Sequence, residues 1–226
     1  MASATNPLHN QAPTRTMENL HLKEPVQRAG RPFGGDHPVL IMIHGRGATA
    51  ESILELAPLL AVEDFTLLAP QAANNTWYPQ SFLAPDAQNA PWAGWALDRL
   101  ATLVAEVESA GTPSRRIALL GFSQGACLTL EFAARHARRY GALIGFSGGL
   151  IGPPGTPRAY VGGFDDTPVF LGCSDVDAHI PLARVDETAQ VLRRMGAVVD
   201  ERIYPAMGHT VNDDEIAAAS GLLAAI

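Results

Sequence analysis

Residues 115–133, RRIALLGFSQGACLTLEFA, change character at a single position. Up to Phe122 the run is short and apolar, which predicts a buried strand. Beyond Ser123 a helical pattern follows, which predicts a helix over 124–140. The junction is Gly-x-Ser-x-Gly. A strand that turns straight into a helix bends sharply at the serine and strains its backbone, and Gly121 and Gly125 keep neighbouring side chains out of the way. The N–H groups at the start of the helix then point at the space above Ser123. Alone, the five-residue pattern is weak, because a chain with 21 glycines meets it easily by chance. A glycine-rich turn with a capping serine looks the same, and only the surrounding elements separate the two.

Outward from this junction, short apolar runs alternate with longer helical patterns. Strands are expected over 37–45, 65–70, 115–122, 141–148, 167–173 and 197–205. Helices are expected over 51–61, where Pro58 interrupts, and over 95–111, 124–140, 183–196 and 212–225. The order predicts the α/β class: a mostly parallel sheet with helices on both faces. In such sheets the working site lies beyond the carboxyl ends of the strands. Segments 71–91 and 149–166 are long for connections within a domain and have the character of binding loops or lids.

Composition bounds what the chain does. Its 226 residues suit one domain, 21–226, preceded by a polar arm over 1–20 that Pro7 and Pro13 interrupt. At 47% hydrophobic it can bury a sizeable core. A net charge of -7 argues against nucleic acid or an anionic membrane as the main partner. No run reaches the roughly 20 apolar residues that span a bilayer. Cys127 and Cys173 make no disulfide framework; as buried free thiols they fit a cytoplasmic protein. A homodimer is compatible with all of this.

A serine hydroxyl needs a base. Of the histidines that follow, His136 is 13 residues along the same helix, about 20 Å away at 1.5 Å per residue. His179 follows strand 167–173. His209 lies between the last strand and the last helix, where an imidazole can swing over the serine, and it is the expected base. The base needs an acceptor to hold its tautomer. Asp175 and Asp177 both follow strand 167–173, and spacing does not choose between them. Asp213 and Asp214 read as favourable charge at a helix N-terminus, and Asp165 and Asp166 precede their strand. Oxyanion donors are expected from the backbone N–H of Gln124 and, in HGRGAT, of Arg46. His44, at the strand end, is expected to be structural. The Arg46 side chain either pairs with an acid such as Asp175 or receives a substrate carboxylate. Trp77, Tyr78, Phe82, Trp92 and Trp95 crowd one loop, either pinning it to the core or walling a substrate pocket. Metal-ligand spacing is missing, so neither metal nor cofactor is expected.

IHGRGAT (43–49), GFSQGACLTLEFA (121–133), GFSGGL (145–150), DVDAHIP (175–181) and MGHT (207–210) occur in this order. Together they resemble the phospholipase/carboxylesterase family of small α/β-hydrolases, which includes the acyl-protein thioesterases, over about 37–226. The resemblance implies an α/β-hydrolase fold and a Ser-Asp-His triad. Its Asp-x-x-[Ile/Val]-Pro pattern falls on Asp177 and Pro181, making Asp177 the implied acid beside Ser123 and His209. Arg46 and Gln124 fall on the oxyanion positions. The chain departs from the family at Cys173-Ser174, where His-Gly is usual. It departs again over 74–95, which resembles a bacterial carboxylesterase-like subgroup. The expected activity is hydrolysis of small-molecule esters or thioesters with short to medium acyl groups. Two alternatives are a lactone or ring-cleavage-product hydrolase on the same residues, and a catalytically silent binding protein with this fold.

Overall fold

The computed structural model describes residues 17–226. The expected arm therefore lies outside the described residues up to position 16. From there Asn19 caps a 3-10 turn, Leu20–Lys23.

Seven strands form one sheet: β1 (Val26–Gly30), β2 (Val39–Ile43), β3 (Thr66–Pro70), β4 (Ile117–Phe122), β5 (Ala142–Phe146), β6 (Pro168–Ser174) and β7 (Val198–Tyr204). Their spatial order is β1-β3-β2-β4-β5-β6-β7. All neighbours are parallel except β1 and β3. β2 and β3 are buried at every position, as strands covered on both faces should be. β1, VQRAG, is an edge strand whose last three residues are exposed, and it carries no apolar signature by which the sequence announces a strand.

Helix α1 (Ala50–Leu54) ends well short of the expected residue 61. A separate 3-10 turn, Ala57–Leu59, takes in Pro58, whose ring cannot continue an α-helix. A short α2 (Asp86–Asn89) lies within the long loop and leads into α3 (Trp92–Ser109). Then come α4 (Gln124–Arg135), α5 (Leu182–Arg194) and α6 (Asp213–Leu223). α4 stops five residues before the expected end, with His136 as its C-cap.

The helices divide between the two faces. Leu100, Leu103 and Val104 of α3, Leu128 and Phe132 of α4, and Val185 and Leu192 of α5 pack with Ile41, Ile43 and Leu119 on one face. Ala50 and Ile53 of α1 and Ala219 and Leu223 of α6 pack with Leu40, Met42, Leu120 and Ile144 on the other. β4, at the centre, thus delivers Ser123 to the middle of the carboxyl edge. Contact at the glycines fixes how closely α4 can approach. A Cβ on Gly125 would lie 2.1 Å from the Ile43 carbonyl oxygen, and one on Gly121 would lie 2.3 Å from the Gly125 oxygen. The two motif glycines are therefore where helix and sheet touch backbone to backbone.

Candidate active site

Ser123 is the residue between β4 and α4, with φ 55° and ψ -119°. This left-handed conformation costs a side-chain-bearing residue on the order of 1–3 kcal/mol. Its own N–H is held by the Phe146 carbonyl at 2.9 Å, which ties the turn to β5. The strain lifts the hydroxyl above the sheet edge, where Ser123 Oγ lies 2.8 Å from His209 Nε2.

His209 comes from the loop between β7 and α6, which two contacts from the β6 loop hold in place. The Ser174 hydroxyl donates to the Met207 carbonyl, and Asp175 Oδ1 accepts the Ala206 N–H at 2.8 Å. Asp177 meets the ring directly, with its Oδ2 2.7 Å from His209 Nδ1. Asp177 Oδ1 accepts from the N–H groups of His179 and Ile180 at 2.8 and 3.0 Å. Burial alone would raise the Asp177 pKa. The His209 ring and those two amides outweigh it and hold the carboxyl below the usual carboxylate range. An ionised Asp177 requires the proton on Nδ1, which leaves Nε2 free to accept from the serine. Of the two aspartates that spacing left tied, one contacts the histidine ring and the other braces the loop that carries it.

Two backbone donors expected at the serine are open. The backbone N–H groups of Arg46 and Gln124 have no hydrogen-bond acceptor among the described residues. Gln124 is the first residue of α4, and the first N–H groups of a helix are left open in just this way. The Gln124 side chain does other work: Oε1 accepts from Trp77 N at 2.9 Å and Nε2 donates to the Tyr78 carbonyl at 2.8 Å. It fixes the loop that walls the site. The Arg46 guanidinium donates to the carbonyls of Pro79 and Gln80 at 2.8 and 2.6 Å and lies over the Tyr78 ring. It does not pair with Asp175, whose carboxylate is committed to Ala206.

A cavity of about 470 Å³ opens over Ser123, walled by Tyr78, Phe82, Phe122, Cys127, His179 and Ile180. Trp77 and Trp92, both expected in this wall, do not line it. Trp77 is fully buried, its indole N–H donates to the His44 carbonyl at 2.9 Å, and its ring packs between His21 and His44. Trp92 packs edge-on against His21 and Trp95. Large rings with one polar atom find their acceptor in the core, and here that pins the loop. Burial pushes the Cys127 thiol up to about 12, so it stays protonated on the cavity floor.

Two buried histidines anchor the same loop. His44 accepts from Ala72 N at 3.1 Å and donates to its neighbour Gly45 O at 2.8 Å. His21, which the sequence reading passed over, accepts from Ala73 N and donates to Trp77 O, both at 3.0 Å. Nothing in its sequence neighbourhood marks it. Burial lowers both pKa values. The unfolded chain therefore protonates first, and the stability these rings contribute is complete above about pH 6.5 and declines as pH falls below it. Glu215 acts oppositely: burial raises its carboxyl to about 7, which favours the folded state at lower pH. Comparison with a variant isolates the histidine. The Tm difference between pH 7.5 and 5.5 should be smaller in His21→Gln than in the parent, and equal differences would refute the assignment.

The central serine turn, the parallel sheet and the histidine loop after the last strand define an α/β-hydrolase. The chain belongs to the phospholipase/carboxylesterase family, whose model matches residues 31–226. It is similar to the crystal structure of a phospholipase/carboxylesterase from Dyadobacter fermentans, at 42% identity and TM-score 0.86, covering 89% of this chain and 96% of that one. It is 26% identical over 218 residues to acyl-protein thioesterase 1 of Eremothecium gossypii, covering 85% of this chain and 91% of that one. Over 202 residues it is 26% identical to a putative carboxymethylenebutenolidase of Salmonella typhi, covering 81% of this chain and 72% of that one. The protein is thus a hydrolase of the carboxylesterase and thioesterase type, an enzyme and not a silent binding module. Among the described residues no helix is long and apolar enough to cross a membrane.

Proposed function

We propose that the protein hydrolyses small-molecule carboxylic esters or thioesters through an acyl-enzyme on Ser123. The observation that carries this is the unbroken hydrogen-bonded line from Ser123 through His209 to Asp177. His209 Nε2 takes the serine proton as Oγ bonds to the substrate carbonyl carbon. The N–H groups of Arg46 and Gln124 stabilise the oxyanion. The bond to the leaving oxygen or sulfur then breaks, and the leaving atom receives the proton from Nε2. Water, deprotonated by the same nitrogen, releases the acid and restores the serine. Asp177 holds the ring orientation and balances the imidazolium charge throughout.

A series of 4-nitrophenyl esters from acetate to palmitate tests the reading. Tyr78, Phe82 and Ile180 bound the cavity, so kcat/KM should peak at short to medium acyl groups and be lower for palmitate. A value still rising at sixteen carbons would restore a long-chain thioesterase. Failure of a fluorophosphonate to label the folded protein would overturn the serine mechanism itself.

The likeness to a putative carboxymethylenebutenolidase suggests a second reading, opening of a lactone on the same residues. A carboxylate-bearing lactone would need a cation at the mouth, but Arg46 is already committed to Pro79 and Gln80. Arg46→Ala keeps the backbone donor and releases the loop. It should lower kcat/KM about tenfold, the scale of one hydrogen bond from a charged group. The loss should be the same for neutral esters and for esters carrying a carboxylate. A loss confined to the carboxylate-bearing esters would favour the lactone reading.

A further inference from the structure

A second cleft, of about 390 Å³, adjoins the first at His209. The two share Gly45, Ala48, Phe122 and His209. Beyond those, the second is walled by Ile53 and Leu56 from the α1 region, by Thr210 and Val211, the residues that follow the histidine, and by His44 and Ser52, whose ring nitrogens and hydroxyl are already hydrogen-bonded to backbone. Leu56, Phe122 and Val211 are half-buried and pack onto the same apolar cluster. No Asp, Glu, Lys or Arg lines this cleft among the described residues. Ser123 and Gln124 line only the first.

We infer that this second cleft seats the leaving group, and that the group it takes is an uncharged apolar alcohol or thiol. The inference rests on the proposed serine mechanism. The tetrahedral carbon carries four substituents: the serine oxygen, the oxyanion, the acyl chain and the leaving atom. His209 Nε2 hydrogen-bonds Ser123 Oγ at 2.8 Å and must also reach the leaving atom to protonate it. The leaving atom therefore sits on the histidine side, and the acyl chain runs the other way, toward Tyr78, Phe82 and Cys127. Past the imidazole the leaving group meets the apolar walls of Leu56, Phe122 and Val211. An ionised leaving group would be desolvated there with no Asp, Glu, Lys or Arg to pair with, so the cleft discriminates by charge as well as size.

The test holds the acyl group at butyrate and lengthens the alcohol from methyl to hexyl. In the parent, kcat/KM should rise about fourfold for each methylene that enters the cleft. Leu56→Asn removes an apolar wall and Val211→Phe fills the space, so each should lower the hexyl-to-methyl ratio at least tenfold. Leu59→Asn, at a side chain 60% exposed and outside the cleft, should leave the ratio unchanged. Pre-steady-state kinetics should confine the losses to acyl-enzyme formation, because the leaving group has departed before breakdown. A flat alcohol series in the parent overturns the inference. So does an effect of the two variants on acyl-enzyme breakdown and acyl-length preference, which would put the acyl chain in this cleft. Fluorophosphonate labelling separates the levels: a labelled protein with a flat series loses only the cleft assignment, and an unlabelled one loses the serine mechanism beneath it.

Discussion

Ser123→Ala should lower kcat on a 4-nitrophenyl ester by on the order of 10⁶-fold, and His209→Ala should do nearly the same, because the proposed nucleophile and base act as one unit. The double variant should be hardly worse than either single one. Stability separates the two sites. Alanine at position 123 keeps the strained φ of 55°, so the Tm of Ser123→Ala should match the parent. Ser123→Gly relieves the strain and should raise the Tm while abolishing turnover, since glycine adopts a positive φ without penalty. Initial rates on the parent and the four variants, with thermal melts on the parent and the two position-123 single variants, check this. Substantial activity in His209→Ala, together with its loss in His179→Ala, would move the base to the neighbouring ring. That ring lies 4.8 Å from His209, centroid to centroid.

Asp177→Asn should cost on the order of 10⁴-fold in kcat. The asparagine can turn its amide N–H₂ toward Nδ1, which favours the tautomer with the proton on Nε2, and that tautomer cannot accept from the serine. Asp175→Asn should cost less than about tenfold. Its carbonyl oxygen can still accept the Ala206 N–H, a hydrogen bond worth about 1 kcal/mol. Steady-state rates on one ester rank the two variants. The reverse ranking would transfer the orienting role to Asp175.

Several features are legible in the sequence alone. The serine turn, the alternation of apolar runs with helical patterns and the position of His209 after the last strand all follow from local rules of periodicity and turn chemistry. Those rules place residues along the chain, and in a parallel sheet every strand delivers its carboxyl end to the same edge. The family resemblance added Asp177, which local rules alone left tied with Asp175.

Side-chain direction and partnership were not legible. Asp175 and Asp177 lie two residues apart in one turn, and only the packed loop shows one bracing Ala206 while the other meets His209. Trp77 and Trp92 share a crowded aromatic loop with Tyr78 and Phe82. The first pair turns toward buried histidines and the second pair faces the cavity. β1 escaped notice because an exposed edge strand needs no apolar pattern. Arg46 was free to pair with an acid or a substrate until the carbonyls of residues 79 and 80, more than thirty positions away in sequence, came within reach. The sequence by itself determined the order of elements and the residue types at the sheet edge, since both depend on near neighbours. Which side chains touch was decided by the tertiary structure, because each contact pairs residues from separate loops whose approach is set by packing of the whole sheet.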